Sequence, residues 1–178
     1  MELHTDRLRL RGWRATDRGA FAQFNADARV MQYFPALLPA EDSNALVDLI
    51  QSHLEEHGWG LWAVEVRSTG AFAGFIGLTR PRIDAHFTPC VEVGWRLGSV
   101  YWGHGYATEG ATAALAFGFG TLGLPEIVSL TTESNARSRR VMERVGMVHD
   151  SADDFEHPGM PPGHPLRRHV LYRKSAAA

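Results

Sequence analysis

The residues best suited to chemistry form a glycine-rich loop, Trp102-Gly103-His104-Gly105-Tyr106, that leads into an alanine-rich stretch. The stretch from Ala107 to Leu122 is predicted to be a helix, so the loop opens that helix. Amide groups in a first helical turn have no internal partner, and the helix dipole adds positive potential there. Gly103 and Gly105 lack side chains, so those amides can approach an anion closely. The loop predicts a phosphate site, with a simple glycine turn as the alternative.

Two common phosphate-binding motifs do not match this loop. A P-loop requires a lysine directly before its helix, and the only lysine of the chain is Lys174. A dinucleotide-binding motif requires a third glycine where Thr108 stands, and it opens a strand–helix–strand unit. The strands before the loop, Trp59–Arg67 and Ala71–Leu78, instead predict a hairpin, because only Ser68-Thr69-Gly70 separates them.

Glu92 is the candidate general base. It lies in a predicted strand from Val91 to Leu97, where it alternates with Val91 and Val93 and faces away from them. A positioned carboxylate can take a proton from a reacting group, directly or through water. The alternative is a structural carboxylate paired with Arg96 or another arginine.

These segments are positioned by a mixed set of strands and helices. The predicted order is a strand, two helices, the hairpin, a strand–loop–helix unit, a strand–helix unit and two final strands, which is an α/β layout with helices packed on a sheet. The further predicted strands are a first strand at Leu8 and Leu10, Ile127–Thr131 and His169–Arg173. Predicted helices begin at Thr16-Asp17 and at Pro39-Ala40, and a third, Ala136–Val145, is capped by Ser134-Asn135. The remaining segments are a long loop, Asp150–Pro165, and a frayed tail, Ser175–Ala178.

Composition excludes several classes of protein. The chain has 178 residues, no internal repeat and no linker, which predicts one domain over 1–178. With 20 acidic and 18 basic residues it lacks the basic excess of a nucleic-acid binder. No apolar run is long enough to span a membrane. The lone Cys90 forms no intrachain disulfide, which suits the cytoplasm. His157, His164 and Asp153 fit no zinc spacing, so no metal is expected.

Three segments together resemble one family. They are Glu92-Val93-Gly94-Trp95-Arg96-Leu97, the glycine loop continued to Glu109, and Asn135-Ala136-Arg137-Ser138-Arg139-Arg140-Val141-Met142-Glu143-Arg144-Val145-Gly146. In this order they resemble the GNAT superfamily of acyl-CoA-dependent N-acetyltransferases, and most closely its branch of RimJ- and RimL-like ribosomal-protein N-terminal acetyltransferases. The resemblance covers nearly the whole chain, since the opening Thr5-Asp6-Arg7-Leu8-Arg9-Leu10 is also typical.

The resemblance implies a GNAT fold with a mostly antiparallel sheet and a binding site for acetyl-CoA. The cofactor's pantetheine arm would lie between two splayed parallel strands, Val91–Leu97 and Ile127–Thr131, and a bulge at Gly94 would cause the splay. The pantetheine arm would pair with the backbone of Trp95, Arg96 and Leu97. The pyrophosphate would lie on the loop residues Gly103, His104, Gly105, Tyr106, Ala107 and Thr108. Asn135 and Ser138 would form hydrogen bonds to the arm.

The implied reaction is direct attack of a neutral primary amine on the thioester, either a protein N-terminal α-amine or a small-molecule amine. Glu92 would take the amine proton, and a backbone amide beside Gly94 would stabilise the oxyanion. Many relatives carry a tyrosine acid where this chain has Met142. The departing thiolate would therefore take a proton from Ser138 or water, or leave unprotonated.

The acceptor and the surroundings of the site stay open at this point. The acidic run Asp153–His157 either attracts a cationic amine or is a solvated loop, and Arg137, Arg139 and Arg140 either meet the cofactor's 3′-phosphate or face solvent. The missing tyrosine allows a non-catalytic acyl-CoA sensor, and the glycine loop alone allows a nucleotide-binding module. The oligomeric state is open, with a homodimer as one option.

Overall fold

The computed structural model describes residues 1–176, in which nine strands and four helices occur. The strands are β1 (Leu3–His4), β2 (Leu8–Arg11), β3 (Leu61–Val66), β4 (Ala71–Thr79), β5 (Glu92–Leu97), β6 (Glu126–Thr132), β7 (Val148–His149), β8 (Phe155–Glu156) and β9 (Arg168–Ser175). The helices are α1 (Asp17–Ala26), α2 (Ala40–His57), α3 (Tyr106–Gly120) and α4 (Ala136–Arg144).

All nine strands form one sheet in the order β1-β2-β3-β4-β5-β6-β9-β7, and β8 pairs with β9. Every neighbouring pair is antiparallel except β5 and β6, which are parallel. The predicted hairpin is formed by β3 and β4, and Gly70 in its turn has a φ of 69°. The mixed α/β fold class and the mostly antiparallel sheet are confirmed.

Some predicted boundaries are wrong. The short strand β1 has no clear pattern in the sequence, and the loop predicted over Asp150–Pro165 contains a 3₁₀ turn at Ser151–Asp153 and strand β8. The predicted frayed tail begins too early, because Ser175 still belongs to β9 and the Ala176 amide donates to the Pro125 carbonyl at 2.9 Å. Residues 177–178 of that tail lie outside the described residues.

Helices cover both faces of the sheet. On one face, Phe21 of α1 and Val47 and Ile50 of α2 pack against Phe75 of β4. On the other face, α3 and α4 pack against the opposite side chains of the same strands. Helix α3 lies very close to the sheet, because a Cβ at its Gly110 would approach Ile76 Cδ1 to 2.4 Å. This closeness explains why α3 consists largely of alanine and glycine.

The sheet opens between β5 and β6. Their parallel pairing consists of Glu92 opposite Val128, where the Val128 amide donates to the Val91 carbonyl at 2.9 Å. The next β5 carbonyl that faces β6 is that of Val93, and it accepts from the Ser129 hydroxyl at 2.9 Å instead of from a backbone amide. Beyond this point the strands diverge and leave a gap.

The prediction of a bulge at Gly94 is wrong. Pairing of β4 with β5 runs without a register shift from Thr79 opposite Glu92 to Gly74 opposite Leu97. At the point of divergence a side-chain bond from Ser129 to the Val93 carbonyl takes the place of the next backbone bond of the parallel ladder.

Candidate active site

A cavity of about 710 Å³ occupies the gap and is lined by residues from both faces of the sheet. Eleven of the twelve residues singled out as site candidates line it, and His104 does not. The eleven are Glu92, Trp95, Arg96, Leu97, Gly103, Gly105, Tyr106, Ala107, Thr108, Asn135 and Ser138.

The glycine loop at one end of the cavity has the backbone that its sequence requires. Gly103 and Gly105 have φ values of 80° and 79°, which side-chain-bearing residues rarely adopt, and Gly105 is the N-cap of α3. A Cβ at Gly103 would meet no heavy atom within 4 Å, so the loop leaves open space at the helix N-terminus. This arrangement can hold an anion against the first amides of α3.

A network from the N-terminus holds this loop in place, and the sequence analysis missed it. Arg7 Nη1 donates to the His104 carbonyl at 2.9 Å, and Arg7 Nε donates to Glu109 at 2.6 Å. Thr5 Oγ1 also donates to Glu109, at 2.6 Å. The His104 ring stacks on Tyr106, with 5.4 Å between ring centroids. The loop is therefore preorganised by a segment about a hundred positions away in the sequence.

Glu92 lies in the cavity wall, where β5 and β6 separate. Burial raises the pKa of its carboxyl to about 7, and the Leu130 backbone amide opposes this rise by favouring the charged form. Within the described residues Glu92 forms no ion pair, so the predicted alternative of pairing with Arg96 is wrong. A carboxyl that titrates near neutral pH in a cavity can accept a proton from an amine.

Asn135 and Ser138 form the N-terminal cap of α4. Asn135 Oδ1 accepts from the Ser138 amide at 3.3 Å, and Asn135 Nδ2 donates to the Ser138 hydroxyl at 3.1 Å and to Thr131 Oγ1 at 3.0 Å. Because the Ser138 oxygen already accepts from Asn135, its own hydrogen is available to a ligand. Met142, one turn further along α4, is buried and also lines the cavity, but its thioether offers no proton.

The segment between α1 and α2 and the late part of the chain also line the cavity. Tyr33 and Phe34 come from the first, and His157 and His169 from the second. Burial lowers the pKa of both histidines, so both are neutral at neutral pH. Sequence reasoning missed Tyr33, Phe34 and His169, because aromatic and histidine residues in loops and strand ends have no distinctive spacing.

The acidic run Asp153–His157 does not provide acids to this cavity. Asp153 pairs with Arg173 at 2.6 Å, Asp154 with His149 at 2.7 Å, and Glu156 with Arg167 at 2.7 Å. Of the five residues only His157 lines the cavity. The interpretation that these acids attract a cationic amine is therefore wrong, and they brace the loop to β7 and β9 instead.

Other polar groups divide between the cavity and the outer surface. Arg137 lies 4.1 Å from the Trp102 ring centroid, and both line the cavity together with Arg140. Arg139 turns away and donates to the Tyr172 hydroxyl at 3.3 Å. Cys90 is not a lining residue, and burial together with the charge of Glu92 raises its pKa to about 11, so it is a poor nucleophile.

The described residues contain neither a group of metal ligands nor a membrane-spanning helix. In residues 1–176 no three His, Cys, Asp or Glu side chains are grouped so that they could hold a metal ion. Within the same range no helix has both the length and the apolar composition needed to cross a membrane.

Comparisons with known proteins agree with the geometry. YkkB, an uncharacterized protein of Bacillus subtilis strain 168, is 32% identical over 147 residues, covering 82% of this chain and 84% of its own. The FsC-acetyl coenzyme A-N(2)-transacetylase of Aspergillus fumigatus is 29% identical over 168 residues, covering 90% and 71%. A solved structure of RimL, the ribosomal L7/L12 α-N-protein acetyltransferase in complex with coenzyme A, shares the fold with a TM-score of 0.77 at 14% identity, covering 99% and 98%. The family described as acetyltransferase (GNAT) domain matches residues 7–148, and the chain belongs to this family of acetyl-CoA-dependent N-acetyltransferases.

Proposed function

We propose that the chain, acting as one catalytic domain in the cytoplasm, transfers the acetyl group of acetyl-CoA to a primary amine by direct attack in a ternary complex. The observation that carries this proposal is the cavity at the β5–β6 gap, which joins the glycine loop to the Glu92 carboxyl through the sheet. A cofactor could enter from one face and an acceptor from the other.

The residues present fit the cofactor. The open space beside Gly103 and the first amides of α3 would take its pyrophosphate. The edge of β5 that β6 leaves free, at Trp95 to Leu97, would pair with the pantetheine arm as an added strand would. When bound, the cofactor supplies an acetyl thioester. The hydroxyl of Ser138 has its hydrogen free to bond to the arm or to the sulfur.

The chain's own residues would move one proton from the acceptor. Glu92, ionised above about pH 7, takes a proton from the amine as the new nitrogen–carbon bond forms and the carbon–sulfur bond breaks. A backbone amide beside Gly94 would donate to the carbonyl oxygen as that oxygen gains charge. Ser138 or water would protonate the departing sulfur, because Met142 has no proton to give.

The acceptor class is part of the proposal. A protein N-terminal α-amine, as in the RimJ/RimL-like branch, has a pKa near about 8, so roughly a tenth is neutral at pH 7 and needs little help from Glu92. A small-molecule amine with a pKa near about 10 depends on that base more strongly.

The buried thioether of Met142 favours one rival, a non-catalytic acyl-CoA sensor. Isothermal titration with acetyl-CoA, run beside a free-thiol assay over amines and N-terminal peptides, separates the two. Binding with thiol release for one acceptor class supports the enzyme, and binding without release for any acceptor supports the sensor. Absence of binding would refute both.

A further inference from the structure

Arg96 is a cation in the wall of the proposed acceptor side of the cavity. It lies on β5 opposite Phe75, and it shares a face with Glu92 and Gly94 because side chains alternate along a strand. This face is the one covered by α1 and α2, not the face that carries α3 and the glycine loop.

The guanidinium of Arg96 is held by uncharged groups. Its Nη1 donates to Asn25 Oδ1 at 2.8 Å, and Asn25 Nδ2 donates to Ser43 Oγ at 2.9 Å; Asn25 and Ser43 are both fully buried. The Phe34 ring centroid lies 4.1 Å and the Phe75 centroid 5.5 Å from its central carbon. These contacts fix the position of the charge without neutralising it.

No carboxylate of the described residues pairs with Arg96, although its surroundings favour such a partner. The buried Nε has no hydrogen-bond partner within residues 1–176, and burial lowers the pKa of the side chain to about 10. Buried charges in proteins are normally paired, because an unpaired one loses its hydration without replacement. An anion supplied by a ligand would complete the site.

The lining residues leave this cation unopposed. Among the described residues Glu92 is the only carboxylate that lines the cavity, and its Cα is about 13 Å from that of Arg96, as expected for four residues along a strand. Gly94 lies between them, and a Cβ there would meet no heavy atom within 4 Å. The floor between the base and the cation is therefore open to a ligand several ångströms long.

We propose that the acceptor carries a carboxylate in addition to its primary amine, and that this carboxylate pairs with Arg96 while the amine lies at Glu92. This inference rests on the proposed function and names its substrate class: amino acids or acidic peptides rather than polyamines and other polycations. The carboxylate forms a charge-assisted ion pair with the Arg96 guanidinium, which orients the amine toward the thioester.

Matched pairs of acceptors test this. The probes are ω-amino acids with one to five methylenes and their primary amides, and the amidated dipeptides Ala-Glu and Ala-Gln, so that free amino acids and peptide side chains are distinguished. For at least one pair, wild-type kcat/KM should favour the carboxylate at least tenfold, equivalent to about 1.4 kcal/mol. A ratio at or below one for every pair would overturn the inference.

Variants connect the preference to this side chain. Arg96→Gln should bring the ratio to about one and leave the KM for acetyl-CoA little changed, and Arg96→Lys should keep part of the preference. Arg18→Gln is the matched control, because Arg18 pairs with Asp48 outside the cavity and its loss should leave the ratio unchanged. An unchanged ratio in Arg96→Gln, or a raised KM for acetyl-CoA as its only effect, would overturn the inference. Should Arg96→Gln fail to fold, Arg96→Lys and the wild-type ratio decide.

A binding measurement separates this inference from the proposed function. The same probes are titrated into the protein saturated with coenzyme A. Arg96-dependent binding of carboxylates without turnover of any amine would refute the proposed enzyme but support the anion site. Equal turnover of carboxylates and amides would support the enzyme and refute the anion site. Neither binding nor turnover would refute both.

Discussion

Glu92→Gln should stabilise the protein and impair catalysis, two effects that follow from one property of the site. The carboxyl has a pKa of about 7 in the folded protein, against 4.5 for its ordinary value, because it is buried. Each pKa unit corresponds to about 1.4 kcal/mol, so the ionised carboxylate destabilises the folded state by about 3 kcal/mol. The amide of glutamine has similar size and no charge to bury.

The dependence on pH follows from which state releases its proton first. Below about pH 4.5 the carboxyl is protonated in both states, and Glu92→Gln and wild type should be equally stable. Between about pH 4.5 and 7 the unfolded chain ionises first, so wild-type stability falls as pH rises, and the deficit is complete above pH 7. At pH 8 the variant should melt about 6–12 °C above wild type, in the absence of ligands.

Catalysis should change in the opposite direction. With saturating acetyl-CoA and an accepted amine, kcat of Glu92→Gln should fall about a hundredfold, the lower range for loss of a general base. The rise of kcat through about pH 7 should also disappear, leaving only the titration of the amine. Thiol release measured from pH 6 to 9 gives both quantities.

Glu65→Gln is the matched control, because the pKa of the Glu65 carboxyl is shifted in the opposite direction to that of Glu92. Glu65 also lies on a strand, but hydrogen bonding from Arg11 holds the pKa of its carboxyl below the usual range and outweighs the effect of burial. Its stabilising effect is present at pH 8 and is lost as pH falls through that lowered pKa. Glu65→Gln should therefore destabilise the protein at pH 8 and leave the pH profile of kcat unchanged.

Three outcomes would contradict this reasoning. A Glu92→Gln protein less stable than wild type at pH 8 would show that the folded state does not disfavour the Glu92 charge. Unchanged kcat with an intact rise near pH 7 would show that Glu92 is not the base. Higher stability with full activity would support the burial argument and refute the catalytic role alone.

Three further variants test the cofactor and acceptor sides of the cavity. Thr108→Glu should weaken acetyl-CoA binding roughly three- to a hundredfold, because the carboxylate repels the pyrophosphate, and it should slightly stabilise the N-terminus of α3. The control Thr112→Glu, which is exposed and one turn further along α3, should leave the affinity for acetyl-CoA unchanged in the same isothermal titration. Gly94→Val should fold, because a Cβ at this position meets open space. It should lower kcat/KM for the amine about a hundredfold by displacing the amine, with acetyl-CoA affinity retained. An unchanged kcat/KM for the amine would exclude the floor at Gly94 as the acceptor site. Ser138→Ala should raise the KM for acetyl-CoA roughly two- to tenfold and spare kcat, with exposed Ser134→Ala as control; a lower kcat at saturation would identify Ser138 as the acid.

Much of the fold and of the cofactor end could be predicted, because the signals are local. The positive φ of Gly103 and Gly105, the start of α3 and the cap from Asn135 to Ser138 each depend on residues within a few positions. The same holds for the end of α2, where Gly58 has a φ of 74°. Short segments with such strong preferences carry their geometry in the sequence.

The remaining features depend on partners far apart in the chain. The sequence predicts a bulge at Gly94, but the sheet splays without one, at the point where the Ser129 hydroxyl donates to the carbonyl of Val93, 36 positions earlier. The loop is fixed by Arg7 and Glu109, whose hydrogen bonds join positions 102 apart. Neither serine nor arginine has a sequence pattern that names such a partner, because the contact exists only after the sheet has assembled.

The charge on the acceptor side of the cavity depends on which side chains folding pairs, not on the number of acids in a segment of the sequence. The sequence shows an acidic run at Asp153–His157 that either attracts a cationic acceptor or is a solvated loop. Folding instead brings basic side chains from β7, β9 and the loop before β9 onto those acids. A paired acid exerts little field on a ligand, whatever its number in the run. Arg96 forms no ion pair within the described residues, and Asn25 and Phe34 hold its guanidinium in the cavity wall. Folding leaves Arg96 without an acidic partner in the described residues, and this positive charge in the cavity wall is the reason for proposing an anionic group on the acceptor.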